Sequence, residues 1–285
     1  MSRLRSDSIL LLTAIIWGSA FVAQRVAAQY LGVFLFNGLR FLLAALLMLP
    51  FVSLRQVFDR RSFAWTAAAG AVLFTGSALQ QAGLQYTTAG NAGFITSLYV
   101  VLVPVLLLIL FRRQSHWLSW LAALIAIFGA WLLSANGQSL QLAPGDGFEL
   151  LGALVWALHV IVVEKAVHRM PVLPFAVGQF FVSALFNLLL GLGWEAHTLP
   201  GLLPAWWTVA YVGVFSTAIG YTLQALGQRH APAVDAALIF SLESVFAALT
   251  GYFFLQELLL PLQILGCGLI LAAVALAQLK GRPAV

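Results

Sequence analysis

Glu243 stands inside an almost wholly apolar stretch, Val234 to Leu255. It follows Asp235 by eight residues, which at the α-helical rise puts it roughly 12 Å below the start of its helix. A charge that deep in a bilayer costs at least about 2.5–3.5 kcal/mol, so a carboxylate kept there has a partner or faces water. Two chemistries suit it: holding a coupling proton or a substrate amine, or hydrogen bonding between helices.

The other polar side chains in apolar surroundings are few. Arg40 lies about 10 Å into a second stretch by the same rise, where it either contacts substrate, bonds to Glu243 or backbone carbonyls, or reaches back toward the interface. Arg25, near the end of the first stretch, is expected to snorkel. Trp17, Tyr99, Trp156 and His159 fall at mid-depth, and rings converging there, Tyr221 among them, would wall a pocket for an amphipathic organic solute. Packing against helices or lipid is the plainer role for each ring. His159 is either a proton carrier or a histidine with a satisfied hydrogen bond. Gln80 and Gln224 are candidate gate latches, or else they satisfy carbonyls of neighbouring helices. Asn91 and Asp235 are expected as helix caps. Gln81, Asn37, Gln179 and Asn187 carry weaker signals.

No signature of a hydrolase or of ATP-driven transport is present. There is no His-Glu-x-x-His, no ATP-binding loop and no paired aspartate clusters, and Thr75-Gly76-Ser77 is a poor nucleophile motif. The single cysteine, Cys267, excludes an internal disulfide or a cysteine metal cluster. No cofactor and no metal are expected.

The elements that must position these residues are membrane helices. Hydrophobic residues make up 62% of the 285 residues and charged ones 8%, a balance that a soluble domain could reach only by exposing large apolar areas. Stretches of roughly 20 apolar residues cross a bilayer. Ten occur: Ile9 to Val26, Val33 to Val52, Phe63 to Leu84, Asn91 to Phe111, Trp117 to Leu133, Phe148 to Val167, Phe175 to Gly193, Trp206 to Gly227, Val234 to Leu255 and Pro261 to Leu279. They are apolar all round, unlike the alternating strands of a barrel. The first is too long for the apolar core of a signal peptide. The class is therefore an all-α polytopic membrane protein with ten transmembrane helices.

Lysine and arginine set the orientation. With the N-terminus inside, Arg3, Arg5, Arg55, Arg60, Arg61, Arg112, Arg113, Lys165, Arg169, Arg229, Lys280 and Arg282 all fall on the cytoplasmic side, leaving only Arg25 and Arg40 within spans. The formal charge of +5 thus reflects membrane topology, not nucleic-acid binding. Both termini are expected on the cytoplasmic side.

A shift of 144 positions lays Gly76, Leu79, Gln80 and Gly83 over Gly220, Leu223, Gln224 and Gly227. Past the loop it lays Ala89, Ala92, Ile95, Ser97, Leu98 and Val101 over Ala233, Ala236, Ile239, Ser241, Leu242 and Val245. Two halves follow, residues 1–135 and 146–285, with Trp17 and Trp156 in comparable places. Five spans is an odd number, so the halves are inverted repeats, the architecture of carriers that alternate access around a midplane site. Small residues four apart, as in Gly93 with Ser97, Ala237 with Ser241, and Ala122 with Ala126 and Ala130, allow close helix approach. Pro104 is a candidate kink.

Ile16-Trp17-Gly18-Ser19-Ala20-Phe21, Leu39-Arg40-Phe41 and Leu242-Glu243-Ser244-Val245-Phe246-Ala247 resemble EamA-type members of the drug/metabolite transporter superfamily. Ser244 replaces a proline usual there, and Leu255-Gln256-Glu257 replaces Leu-Gly-Glu. The resemblance spans essentially the whole chain. It implies an inner-membrane carrier of ten helices moving amino acids, other metabolites or toxic amphiphiles, often outward. The expected function is secondary-active export of a small organic metabolite by alternating access around a central aromatic and polar cavity, with protons as a coupling ion. Import by the same fold, a pore or scaffold, and a membrane enzyme are the alternatives. Oligomeric state is left open.

Overall fold

Apolar side chains with few breaks give helices throughout. The structure, a computed structural model, describes residues 2–57, 59, 63–134, 144–255 and 259–279. Of the stretch between the two expected halves, residues 136–143 lie outside the described residues, as do Gln256 and Glu257 of the second motif and Arg60, Arg61, Lys280 and Arg282. The main segments are α1 (Arg3–Ala27), α2 (Val33–Met48), α3 (Phe63–Gly83), α4 (Ala89–Ser97 and Tyr99–Phe111), α5 (Trp117–Ser134), α6 (Asp146–Val167), α7 (Val172–Trp194), α8 (Leu202–Tyr211, Val212–Tyr221 and Thr222–Gln228), α9 (Ala233–Phe240 and Glu243–Leu255) and α10 (Pro261–Gln278). No strand occurs among the described residues.

Eight of these segments are long and apolar enough to cross a membrane, and Trp117–Leu133 is a shorter apolar helix. The exception is α3, whose Gly70, Gly76, Gly83, Ser77, Gln80 and Gln81 make it less apolar because it packs between α6 and α7.

The halves are inverted. Val33 and Val172 open α2 and α7, an offset of 139. These equivalent helices nevertheless run antiparallel where they touch: a Cβ at Gly38 would meet Leu188, while one at Gly191 would meet Leu35. The same holds for α5 and α10, where Gly129 and Gly266 back onto each other's carbonyls and Gln263 Nε2 donates to the Leu133 carbonyl at 2.9 Å.

Two irregularities follow the repeat and one departs from it. Both α4 and α9 break, at Leu98 and at Ser241-Leu242, positions related by the 144 shift. Ser97 Oγ donates to the Phe94 carbonyl at 2.6 Å and Ser241 Oγ to the Leu238 carbonyl at 2.7 Å. Backbone N–H groups of Leu98 and Leu242 likewise turn to the third residue back, Ile95 and Ile239. Such local bonds compete with the α-helical ladder and tighten it. Pro104 is not the break; it lies within the continuous helix Tyr99–Phe111.

The departure lies in α8. Gly70 backs onto Val182 and the Gln179 carbonyl, and Gly213 onto Leu43 and the Arg40 carbonyl. Those partners are related by 139, so Gly70 and Gly213 are equivalent at a shift of 143, whereas Gly76 and Gly220 need 144. One extra residue therefore sits between Gly213 and Gly220. It is absorbed by the π-helical turns of Val212–Tyr221, whose wider ring accommodates it.

The expected caps move. Thr88, not Asn91, caps α4 by accepting from the Asn91 N–H at 3.2 Å, and Pro232 precedes the first turn of α9, with Asp235 inside it. Arg25 does not snorkel freely: its Nη1 donates to the Leu84 carbonyl.

Candidate functional site

The breaks in α4 and α9 meet at the centre of the bundle. Each delivers the first residue of its second half, Tyr99 and Glu243, to the same point, and Tyr99 Oη donates to Glu243 Oε1 at 2.9 Å. These residues are 144 apart, so the bond joins a position to its own repeat equivalent. Each is the first residue of its helical segment.

Around this pair lies a partly open cavity with about 450 Å³ of space between its lining atoms, open solvent included. All nine side chains singled out from sequence line it: Trp17, Arg40, Gln80, Tyr99, Trp156, His159, Tyr221, Gln224 and Glu243. Five others do so without having been singled out, Phe21, Gln24, Thr96, Val160 and Ser216. Of these, Gln24 and Thr96 carry the signal that could have marked them, a polar side chain between apolar neighbours.

Aromatic rings form one wall. Tyr221 sits at the centre, 4.9 Å from Trp17, 5.8 Å from His159 and 6.2 Å from both Trp156 and Phe180. Trp17 and Trp156 come from α1 and α6 at the 139 offset and lie over equivalent glycines, Gly220 and Gly76. Their polar edges differ. Trp17 Nε1 donates to the Ser216 carbonyl in the π-helical segment at 3.1 Å, whereas Trp156 Nε1, over the regular helix α3, has no protein partner.

Arg40 is buried, at 1% exposure. Of the alternatives set out for it, the bond to Glu243 is not made: Nε donates to Asn37 Oδ1 at 2.8 Å, and the guanidinium lies 5.5 Å and 4.7 Å from the Phe36 and Phe41 ring centroids. The two flanking rings and Asn37 hold it on α2 while Tyr99 takes the carboxylate. Its Nη2 is without a partner, as are Gln24 Oε1 and both amide atoms of Gln224. Gln80 Nε2 donates to Thr96 Oγ1 at 3.4 Å, so neither glutamine caps a neighbouring helix as the plainer expectation had it. His159 Nε2 pairs with Gln179 Oε1 at 3.1 Å, the satisfied histidine of the two expectations.

Buried polar atoms without partners cost roughly 1–3 kcal/mol each. Four such side chains, Gln24, Arg40, Trp156 and Gln224, line this one aromatic cavity.

The profile of the EamA-like transporter family matches residues 4–135 and 143–279. The chain belongs to this family. Among EamA-like relatives, an uncharacterized transporter of Archaeoglobus fulgidus is 33% identical over 285 residues, covering 98% of this chain and 88% of its own. The uncharacterized transporter YwfM of Bacillus subtilis is 26% identical, covering 92% and 89%. The threonine/homoserine exporter RhtA of Escherichia coli is 30% identical over 152 residues, covering 52% of this chain and 50% of its own. A solved crystal structure shares the fold with a TM-score of 0.81 over 98% of both chains, at 17% identity. The EamA-like chain is thus a multi-pass membrane protein of a transporter family.

Proposed function

We propose that this protein is a secondary-active carrier that exports a small organic metabolite, an amino acid or similar amphipathic compound, by alternating access. The observation that carries the reading is the cavity at the crossing of two broken helices, where rings from both halves surround polar atoms that lack partners. Arg40 Nη2 suits a carboxylate, and Gln24 Oε1, Gln224 Oε1 and Glu243 suit an ammonium. The threonine/homoserine exporter among the relatives supports that class.

The moving units are residues 1–135 and 146–285, a division supported by the two stretches over which the family profile matches. The protein sits in a bacterial inner membrane with both termini inside. Supporting this, Arg113 pairs with Glu164 at 3.1 Å where α4 and α6 end, and the N-terminal Arg3 donates to Gln278 at the end of α10 at 2.8 Å. The family's transporter names favour a carrier over an enzyme.

The test is counter-flow in liposomes of purified protein against threonine, homoserine, other amino acids and cationic dyes. A carrier gives saturable counter-flow of at least one, and a pore does not. Arg40→Lys and Glu243→Gln should each weaken apparent affinity by about tenfold or more, as loss of a bond to a charged group does. Saturable flux indifferent to both variants would move the substrate elsewhere.

A further inference from the structure

A second intramembrane carboxylate lies beside the cavity. Glu149, in the first turn of α6, is fully buried at 0% exposure. Its Oε2 accepts from Thr96 Oγ1 at 3.2 Å, and its Oε1 has no partner. The place is built for it: Gly83 leaves the room its carboxyl fills, since a Cβ there would come within 2.5 Å of Oε1. Thr96 lines the cavity and also accepts from Gln80 Nε2 at 3.4 Å. A chain of hydrogen bonds therefore runs from Gln80, at the substrate cavity, through Thr96 to Glu149. Beyond it, Asp146 accepts from Thr87 at 2.9 Å and from Asn91 at 2.6 Å, at the end of the bundle away from the basic loops.

The other half has no such chain. The 139 offset puts Leu10 in the place of Glu149, where it packs on Gly227 as Glu149 packs on Gly83. The 144 shift puts Phe240 in the place of Thr96. Gln224, the counterpart of Gln80, has no partner at either amide atom. The polar branch is therefore one-sided.

We propose that Glu149 is a proton site that loads from one side of the membrane, reports to the substrate cavity through Thr96 and Gln80, and unloads through that cavity when it opens to the other side. This rests on the carrier reading and extends it to the coupling ion. With the carboxylate charged, the Thr96 hydroxyl donates to it and accepts from the Gln80 amide. When Glu149 gains a proton, its O–H donates to Thr96, the Thr96 hydroxyl turns to donate to Gln80 Oε1, and the amide rotates so that its NH₂ faces the cavity. One proton is bound and is given up again when the cavity opens to the other side, no other covalent bond changes, and what the cavity offers a ligand is reversed at Gln80. The acidic groups that act on Glu149 are Asp146 on its own helix and Glu243 on α9. From α3 and α4 it meets Gly83 and Thr96, neither of which titrates. Arg25 of α1 directs its guanidinium to the Leu84 carbonyl at the same end. In the orientation proposed above this end is outside, so a proton that enters there and leaves through the cavity to the inside would drive a solute outward.

Glu149→Gln in proteoliposomes tests the proposal. Counter-flow of a substrate should stay within about twofold of the unmodified protein, while accumulation driven by a pH gradient falls about tenfold, the scale of a linkage between two sites. A readout without substrate is the infrared difference spectrum of the solubilised protein between acid and alkaline buffer, which should lose a carboxylic-acid carbonyl band in Glu149→Gln. Thr96→Val should keep that band and still lose gradient-driven accumulation. The proposal is overturned by Glu149→Gln accumulating normally, by an unchanged spectrum, or by accumulation that follows an imposed sodium gradient instead. Absence of counter-flow in the unmodified protein would sink the carrier reading, and the infrared band would still judge Glu149.

Discussion

The two central tryptophans show how far a single side chain depends on the helix beneath it. Gly76 would place a Cβ 3.3 Å from the Trp156 ring, a contact the ring can relieve by a small shift. Gly220 would place one 2.7 Å from Trp17 Nε1, which is held by the Ser216 carbonyl and cannot move without losing that bond. Gly76→Ala should change stability by less than about 1 kcal/mol, and Gly220→Ala should cost about 1–3 kcal/mol. Thermal midpoints of the two variants in one detergent check this, and equal midpoints would refute it. At this scale the cavity was largely legible, because a polar or aromatic residue at mid-depth of an apolar run has few places to go. Glu149 was not. Its position three residues after Asp146 reads as ordinary acidic character at a helix start, and only the space left by Gly83 on another helix buries it. The partner of Arg40 was also hidden, since the competition between Asn37 and Glu243 is decided by tertiary distance.

At the scale of the element, helix existence followed from composition, but helix breaks did not. Ser97 and Ser241 are common residues in membrane helices, and nothing local says that their hydroxyls will take the carbonyls three residues back. The extra residue in α8 was equally silent, because one inserted residue in an apolar run changes no composition. It does make a prediction. Deleting Phe215, which is exposed at 46%, should let α8 run as a regular helix in register with α3. The protein should stay folded, with a midpoint lowered by no more than about 4 °C, the equivalent of roughly 1 kcal/mol in a chain of this size. Deleting Phe74 from α3, which has no residue to spare, should rotate Gly70 away from its partner relative to Gly76 and abolish the folded peak on size-exclusion chromatography. The opposite ranking would show that the π-helical turns are required rather than accommodated.

At the scale of the whole molecule, register and charge were the most legible signals, because an internal repeat and a bias of lysine and arginine are summed over the whole chain. Orientation has its own test. In a Cys267→Ala background, Tyr86→Cys and Gln114→Cys put single thiols at exposed positions at opposite ends of the bundle. A membrane-impermeant maleimide should label Tyr86→Cys in intact cells and Gln114→Cys only after permeabilisation. The reverse pattern would turn the protein over and place Glu149 toward the cytoplasm.

The bond between Tyr99 and Glu243 also bears on why both halves belong to one polypeptide. Two copies of either half, associated about the same axis, would set a phenol against a phenol or a carboxylate against a carboxylate at the point of closest approach. Fusing unlike copies replaces that forced identity with a donor facing an acceptor, and a molecule so built cannot be returned to a pair of interchangeable subunits without losing its central contact.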